Sequence, residues 1–303
     1  MSVATVKRWI LATRPQFFTV IVLPILLGAA IAWREHRMFD AGLLLLSLIA
    51  GVLCHAGVNV LNDYFDWQSG ADNRNPRPLS PYAGGSRMIQ RDLLTPAQTR
   101  AYGMALLAAA VMLGLGLVAI IGLPLLWIGL VGVLGGWCYS APPLALNYRG
   151  WGEVVVGLDF GVLAVQGAHV VQTGMWSAPA LLIALPPSFL VAAILYVNQF
   201  PDFAWDVKAG KRTLVVALGI EQAIACYLLF PAAAGLAIAA AALWRLLPAM
   251  ALIALAGLLP AVHAALKLPA AVHTGDAALI PVIRSTIAAH ALVSVLLVAA
   301  CLV

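Results

Sequence analysis

Long apolar runs separated by short polar stretches set the pattern of this 303-residue chain. A helix needs about 20 apolar residues to cross roughly 30 Å of hydrocarbon. Nine runs meet that length, near 17–33, 42–61, 101–120, 123–141, 152–171, 178–200, 217–243, 247–266 and 279–303. Gly and Pro inside them are compatible with helices that span membranes. The pattern predicts an all-α, polytopic membrane protein, one domain over residues 1–303, with about nine transmembrane helices around a central cavity. The polar stretches 62–100 and 201–216 read as loops. They follow the second and sixth runs, so an even number of crossings places them on the same side. A parallel repeat over about 10–145 and 150–268 fits that spacing, with the ninth helix appended.

Composition reinforces the membrane reading. Hydrophobic residues make up 63% of the chain and only 10% are charged, against roughly 45–50% apolar in soluble domains. The net charge of +5 would suit nucleic acid, but its distribution points to topology instead. With a cytoplasmic N-terminus, 14 of the 17 Lys and Arg fall on the inner side, and only Arg34, Arg37 and Arg245 fall outside. That is the positive-inside bias. It puts both polar stretches in the cytoplasm and no nucleic acid among the partners. The expected location is integral to a membrane, the bacterial plasma (inner) membrane, with the lipid bilayer as partner. Arg14 and Pro15 interrupt the N-terminal apolar stretch, and no small-residue cleavage site follows, so no cleaved signal peptide is predicted. Cys54, Cys138, Cys226 and Cys301 lie in separate runs and read as buried apolar residues.

The candidate chemistry lies in two aspartate clusters. The first is Asn62-Asp63-Tyr64-Phe65-Asp66 with Asp72 following, and the second runs Asn198-Gln199-Phe200-Pro201-Asp202-Phe203-Ala204-Trp205-Asp206. Residues three or four apart share a helix face, so Asp63 with Asp66, and Asp202 with Asp206, would each point two carboxylates one way. Hard oxygen ligands of this kind suit Mg²⁺, which commonly bridges carboxylates to substrate phosphates. A diphosphate held at the membrane boundary is the natural inference. The bland alternative is that these aspartates cap helices or face solvent.

At these residues the chain resembles the UbiA superfamily of intramembrane aromatic prenyltransferases. The first motif reads NDYFDWQSGAD and continues to GGSRMI, the second reads NQFPDFAWDVKAGKRTL, and CYSAPPLALNYRGWGE and VQTG lie between. The placing of Asp72, with the YRGxGE and GKRT segments, is more similar to the 1,4-dihydroxy-2-naphthoate polyprenyltransferases, the menaquinone branch. The resemblance implies Mg²⁺-dependent transfer of a prenyl chain from a polyprenyl diphosphate to an aromatic acceptor. It implies Asp63, Asp66 and Asp72 on one Mg²⁺, Asp202 and Asp206 on another, and Asn62 and Asn198 in support. Arg87 and Lys211 are expected on the diphosphate, and Tyr64, Tyr139 and Tyr196 as aromatic walls for an allylic cation. Arg14 is a candidate partner for the acceptor's carboxylate. Other acceptors such as 4-hydroxybenzoate, a terpene cyclase and, in a different class, a secondary transporter stand as alternatives.

Several polar residues fall outside that scheme. Asp159, Gln166 and His169 recur on one face of the fifth run and read as a cavity-lining proton relay or as packing pairs. His55 precedes Asn59 by one turn and reaches toward the same site. Glu153 and Arg149 predict a local contact at the start of the fifth helix.

Overall fold

The computed structural model describes residues 3–71, 79 and 82–303, and among them every regular element is helical. Helix α1 (Val3–Ala12) leads into nine helices long and apolar enough to cross a membrane, again among the described residues. These are α2 (Pro15–His36), α3 (Ala41–Ser69), α4 (Pro96–Ile121), α5 (Leu123–Ser140), α6 (Gly152–Thr173), α7 (Ala178–Asn198), α9 (Ile220–Leu243), α10 (Ala249–Thr274) and α11 (Asp276–Leu302). The short α8 (Phe203–Ala209) lies between α7 and α9.

Local chemistry sets several boundaries. The Asp40 carboxylate accepts from the Leu43 N–H at 2.8 Å to open α3, and Gly70, at φ 77°, ends it in the left-handed region that glycine adopts without strain. Thr95 and Gln98 form a reciprocal capping box that starts α4. Helix α3 corrects the sequence reading, because it continues past residue 61 to Ser69 and carries Asp63 and Asp66 on its final turns. Hydropathy marks where hydrocarbon ends, whereas the helix persists as long as its backbone bonds do. The stretch 201–216 likewise holds α8 and a further turn at Leu214–Leu218.

Small residues let the helices cross closely. A Cβ on Gly57 of α3 would come within 2.9 Å of the Leu107 nitrogen on α4, and one on Gly103 within 2.8 Å of the Leu61 side chain. On α2, a Cβ at Gly28 would lie 2.1 Å from the Val165 carbonyl oxygen of α6. Helices α2, α6 and α7 are the most buried. Helix α11 packs on α2, α7 and α10. Helices α3, α4 and α5 bury less of themselves against protein, and together with α2, α6 and α7 they line a cavity.

Candidate active site

Both aspartate clusters meet at one end of that cavity, whose volume is about 530 Å³. Asn62 and Asp66 enter its lining from the end of α3, Asn198 from the end of α7, and Asp202, Asp206 and Lys211 from the segment beyond. Arg14, placed just before α2, joins them. Below this polar end the walls turn apolar, through Leu117, Leu125, Ile128, Leu163 and Val171. The shape is that of a charged mouth on a hydrocarbon-lined channel.

A network of charge-assisted hydrogen bonds holds the first cluster. Arg14 donates to Asp63 and, at 3.2 Å, to the Asn62 Oδ1. The Ser86 N–H reaches both oxygens of Asp63 at 3.2 Å. Asp66 accepts from Lys211 Nζ at 3.2 Å, from Asn62 Nδ2 at 3.3 Å and from the Tyr148 hydroxyl at 3.0 Å. Lys211 also lies 4.8 Å from the centroid of the Tyr148 ring. In the second cluster Asp202 accepts from the Gly84 N–H at 2.8 Å, where φ of 72° at Gly84 and 76° at Gly85 turns the loop toward it. Burial pushes the Asp206 carboxyl up to about 7; Lys211 opposes that rise, and the negative charges of Asp202 and Asp66 add to it. Asp206, Asp202 and Asp66 are thus close enough for their charges to act on one another, and an all-oxygen donor set of this kind fits a divalent cation.

Of the other sequence candidates, Tyr139 lines the cavity. Among the described residues, Tyr64 and Tyr196 do not. The Tyr64 ring packs beside Phe65 and Trp67. Tyr196 is fully buried, donating its hydroxyl to the Ala223 carbonyl at 2.9 Å and packing on Phe200 and Phe230. Arg87 is buried beside Ser86 with φ of 63°. Asp72 lies outside the described residues.

The proposed relay on the fifth span separates. Asp159 lines the cavity, but Gln166, in the orientation that satisfies its amide, exchanges bonds with the Ser177 N–H at 2.8 Å and C=O at 3.1 Å. His169 lies by Glu35 at 3.0 Å and the Met175 carbonyl at 3.1 Å, toward the far end of α6. A π-helical stretch over Gly157–Leu163 accounts for the separation, because an added residue in the turn rotates everything after it away from the α-helical face. Glu153 is a second correction. It bonds Gln199, whose Oε1 accepts from the Val215 N–H at 3.1 Å, while Arg149 donates to the Pro143 carbonyl at 2.9 Å. The 153–199 link ties the start of α6 to the second cluster.

Two side chains at the site escaped the sequence reasoning. Tyr148 belongs to the YRGxGE segment, yet nothing in the spacing announced its bond to Asp66; burial is the main cause raising its phenol above the usual range. Ser140 accepts from Asn62 Nδ2 at 2.9 Å.

The sequence profile of the UbiA prenyltransferase family matches residues 21–279. The chain belongs to the UbiA prenyltransferase family. It is 31% identical over 214 residues to UbiA prenyltransferase domain-containing protein 1 of Gallus gallus, covering 70% of this chain and 62% of that one. It is 30% identical over 212 residues to the 1,4-dihydroxy-2-naphthoate octaprenyltransferase of Bacillus subtilis (strain 168), covering 70% and 66%. The matched region thus spans less than two thirds of the length of these relatives. Among solved structures, a UbiA homolog from Archaeoglobus fulgidus bound to GPP and Mg²⁺ superposes with a TM-score of 0.67 at 16% identity, covering 96% of this chain and 99% of that one. A UbiA homolog from Aeropyrum pernix K1 gives 0.68 at 20% identity, covering 91% and 97%. At these identities the likeness establishes that this UbiA-family chain shares their fold.

Proposed function

We propose that this UbiA-family protein transfers a prenyl chain from a polyprenyl diphosphate to an aromatic acceptor, most specifically 1,4-dihydroxy-2-naphthoate, in menaquinone biosynthesis. The observation that carries the reading is the convergence of two carboxylate sets, from the ends of α3 and α7, on the mouth of one apolar channel. Asp63, Asp66, Asp202 and Asp206, with Asp72, are the residues assigned to hold Mg²⁺, with Asn62 and Asn198 in support. Bound there, Mg²⁺ would offset the charge that builds on the departing diphosphate.

The chain's own residues do the remaining work. Lys211 and Arg14 are the cations at the mouth, placed for the diphosphate and for an acceptor carboxylate. Their bonds to Asp66 and Asp63 would be exchanged for substrate and metal. Arg87 is assigned to the diphosphate on its place beside Ser86. Tyr139, whose ring lines the cavity, is the aromatic wall for the allylic cation. Tyr148 and Ser140 orient Asp66 and Asn62. The apolar lower channel excludes water from the cation and takes the tail. The Bacillus subtilis relative supports this acceptor, and the mouth on the side of the basic loops supports a cytoplasmic face for the site.

The test is the product mass spectrum of purified protein in detergent with Mg²⁺ and geranylgeranyl diphosphate, offered 1,4-dihydroxy-2-naphthoate and 4-hydroxybenzoate in competition. A prenylated, decarboxylated naphthoquinone is expected. Prenylated hydroxybenzoate would reassign the acceptor. Absence of diphosphate release would remove the transferase reading.

A further inference from the structure

The end of the bundle opposite the aspartate mouth carries a side-chain cluster that the scheme above does not use. Glu35 and His36 close α2, and His169 lies near the end of α6. Glu35 Oε2 is 3.0 Å from His169 Nε2 and 3.7 Å from His36 Nε2, and the three atoms all lie within 4.8 Å of one another. A tetrahedral ion bound at about 2.0–2.1 Å holds its ligand atoms about 3.3–3.4 Å apart. The two measured distances bracket that spacing.

The remaining polar atoms of these side chains are committed elsewhere. His169 Nδ1 lies 3.1 Å from the Met175 carbonyl, and because a carbonyl only accepts, that bond places a proton on Nδ1. Nε2 of the neutral ring then faces Glu35 as a lone pair, toward a carboxylate that also only accepts. Two such atoms 3.0 Å apart repel one another unless a proton or a cation lies between them. A backbone carbonyl on the second ring nitrogen is also how metal-binding histidines are commonly held. Glu35 Oε1 accepts from the Ser177 hydroxyl at 3.1 Å, which leaves Oε2 for the imidazoles. One proton on His169 would satisfy a single imidazole; a second imidazole beside the same oxygen is what a shared metal ion accounts for.

The backbone around the cluster is fastened. The Asp40 N–H donates to Gln172 Oε1 at 2.6 Å, and Gln172 Nε2 donates to the Asp40 carbonyl at 3.0 Å, so the turn after α2 is tied to the end of α6. Ser177 opens α7 by accepting from the Ala180 N–H at 3.0 Å. His169 is fully buried, whereas the side chains of His36 and Glu35 are 37% and 20% exposed, which gives an ion a way in. Arg34, Arg37 and Arg245 share a neighbouring cavity with Glu35, but among the described residues none of them pairs with it, and its charge partners are the imidazoles. We propose that Glu35 Oε2, His36 Nε2 and His169 Nε2 bind one Zn²⁺, with a fourth position open to solvent. Imidazole with carboxylate suits Zn²⁺, whereas Mg²⁺ takes oxygen ligands, so the two ends of the molecule select different metals. The ion would tie the end of α2 to α6 and to the start of α7. Nothing in this site depends on the transferase reading.

The experiment is a Zn²⁺ titration of the full chain, purified in detergent without a histidine tag, stripped of metal and held in excess Mg²⁺ to occupy the aspartate mouth. A chromophoric chelator competes for the Zn²⁺, and wild type is compared with Glu35→Gln, His36→Gln and His169→Gln. X-ray absorption at the zinc edge of the wild type reads the ligands, and thermal unfolding checks each variant. His36→Gln alters an exposed side chain and carries the test should the buried His169→Gln fail to fold. One equivalent of Zn²⁺ with imidazole scattering is expected. Loss of either histidine should weaken binding about a hundredfold or more, beyond the roughly tenfold to hundredfold that losing a ligand's outer partner costs. Absence of Zn²⁺ binding in excess Mg²⁺, a spectrum without imidazole, or wild-type affinity in His36→Gln would each overturn the proposal. Prenyl transfer by His36→Gln with Mg²⁺ should match the wild type, and its loss would overturn the separation of the two metal sites.

Discussion

Asp66 is the residue on which the site turns, because three donors from three parts of the chain converge on it: Lys211, Asn62 and Tyr148. Asp66→Ala should lower prenyl transfer by about 10³ or more, a loss of the size seen when electrostatic stabilisation of developing charge is removed. Circular dichroism and the unfolding temperature should stay close to wild type; a variant retaining a tenth of its activity would take Asp66 out of the metal site. Tyr148→Phe removes one neutral donor, so a smaller drop of about tenfold is expected. It should appear mainly as weaker Mg²⁺ dependence, read from a Mg²⁺ titration of diphosphate release. The Asp206 carboxyl, raised to about 7 by burial, holds a proton in the metal-free protein below that pH, and a cation must displace it. Apparent Mg²⁺ affinity should therefore fall as the pH drops from about 8 to about 6. An affinity flat across that range would show that Asp206 carries no proton that the metal displaces.

Elements place these residues through close backbone crossings. Helix α3 presents Asp63 and Asp66 where it does because Gly57 and Gly103 bring it against α4 with little space for a side chain. Gly103→Val should force the helices apart and cost about 1–3 kcal/mol of stability, the range for overpacking, visible as a lower unfolding temperature with activity lost in proportion. An unchanged unfolding temperature would mean that the pair has room to shift. The π-helical stretch of α6 acts on a different axis, by rotation. It directs Asp159 into the cavity, while Gln166 and His169 bond Ser177 and Glu35 elsewhere. Helical-wheel reasoning assumed a constant period, and a single added residue breaks that assumption. Likewise the end of α3 was misjudged at 61, because the apolar pattern reports the hydrocarbon edge and not the last backbone bond of the helix.

At the scale of the whole molecule, the nine helices long enough to span a membrane, counted among the described residues, put the ends of α3 and α7 at one end of the bundle. If that side is cytoplasmic, a cysteine introduced at Ala209, beside the mouth, should react with a membrane-impermeant maleimide in inside-out vesicles and not in right-side-out cells, in a background lacking the four native cysteines. Labelling of intact cells would reverse the orientation.

The amino-acid sequence by itself determined the fold class, the approximate spans and the emergence of both aspartate clusters at one end of the bundle. These follow from local properties: apolar length, charge bias and spacing within one helix. The tertiary structure alone decided which side chains share space. It brought Tyr148 and Lys211 to Asp66 and linked Glu153 to Gln199. It also moved Tyr64 and Tyr196 out of the cavity lining, and turned Asp159 of α6 against Gly135 of α5. Such relations depend on helix rotation and on contacts between residues up to 145 positions apart, and no periodicity along one helix encodes the angle at which it faces another.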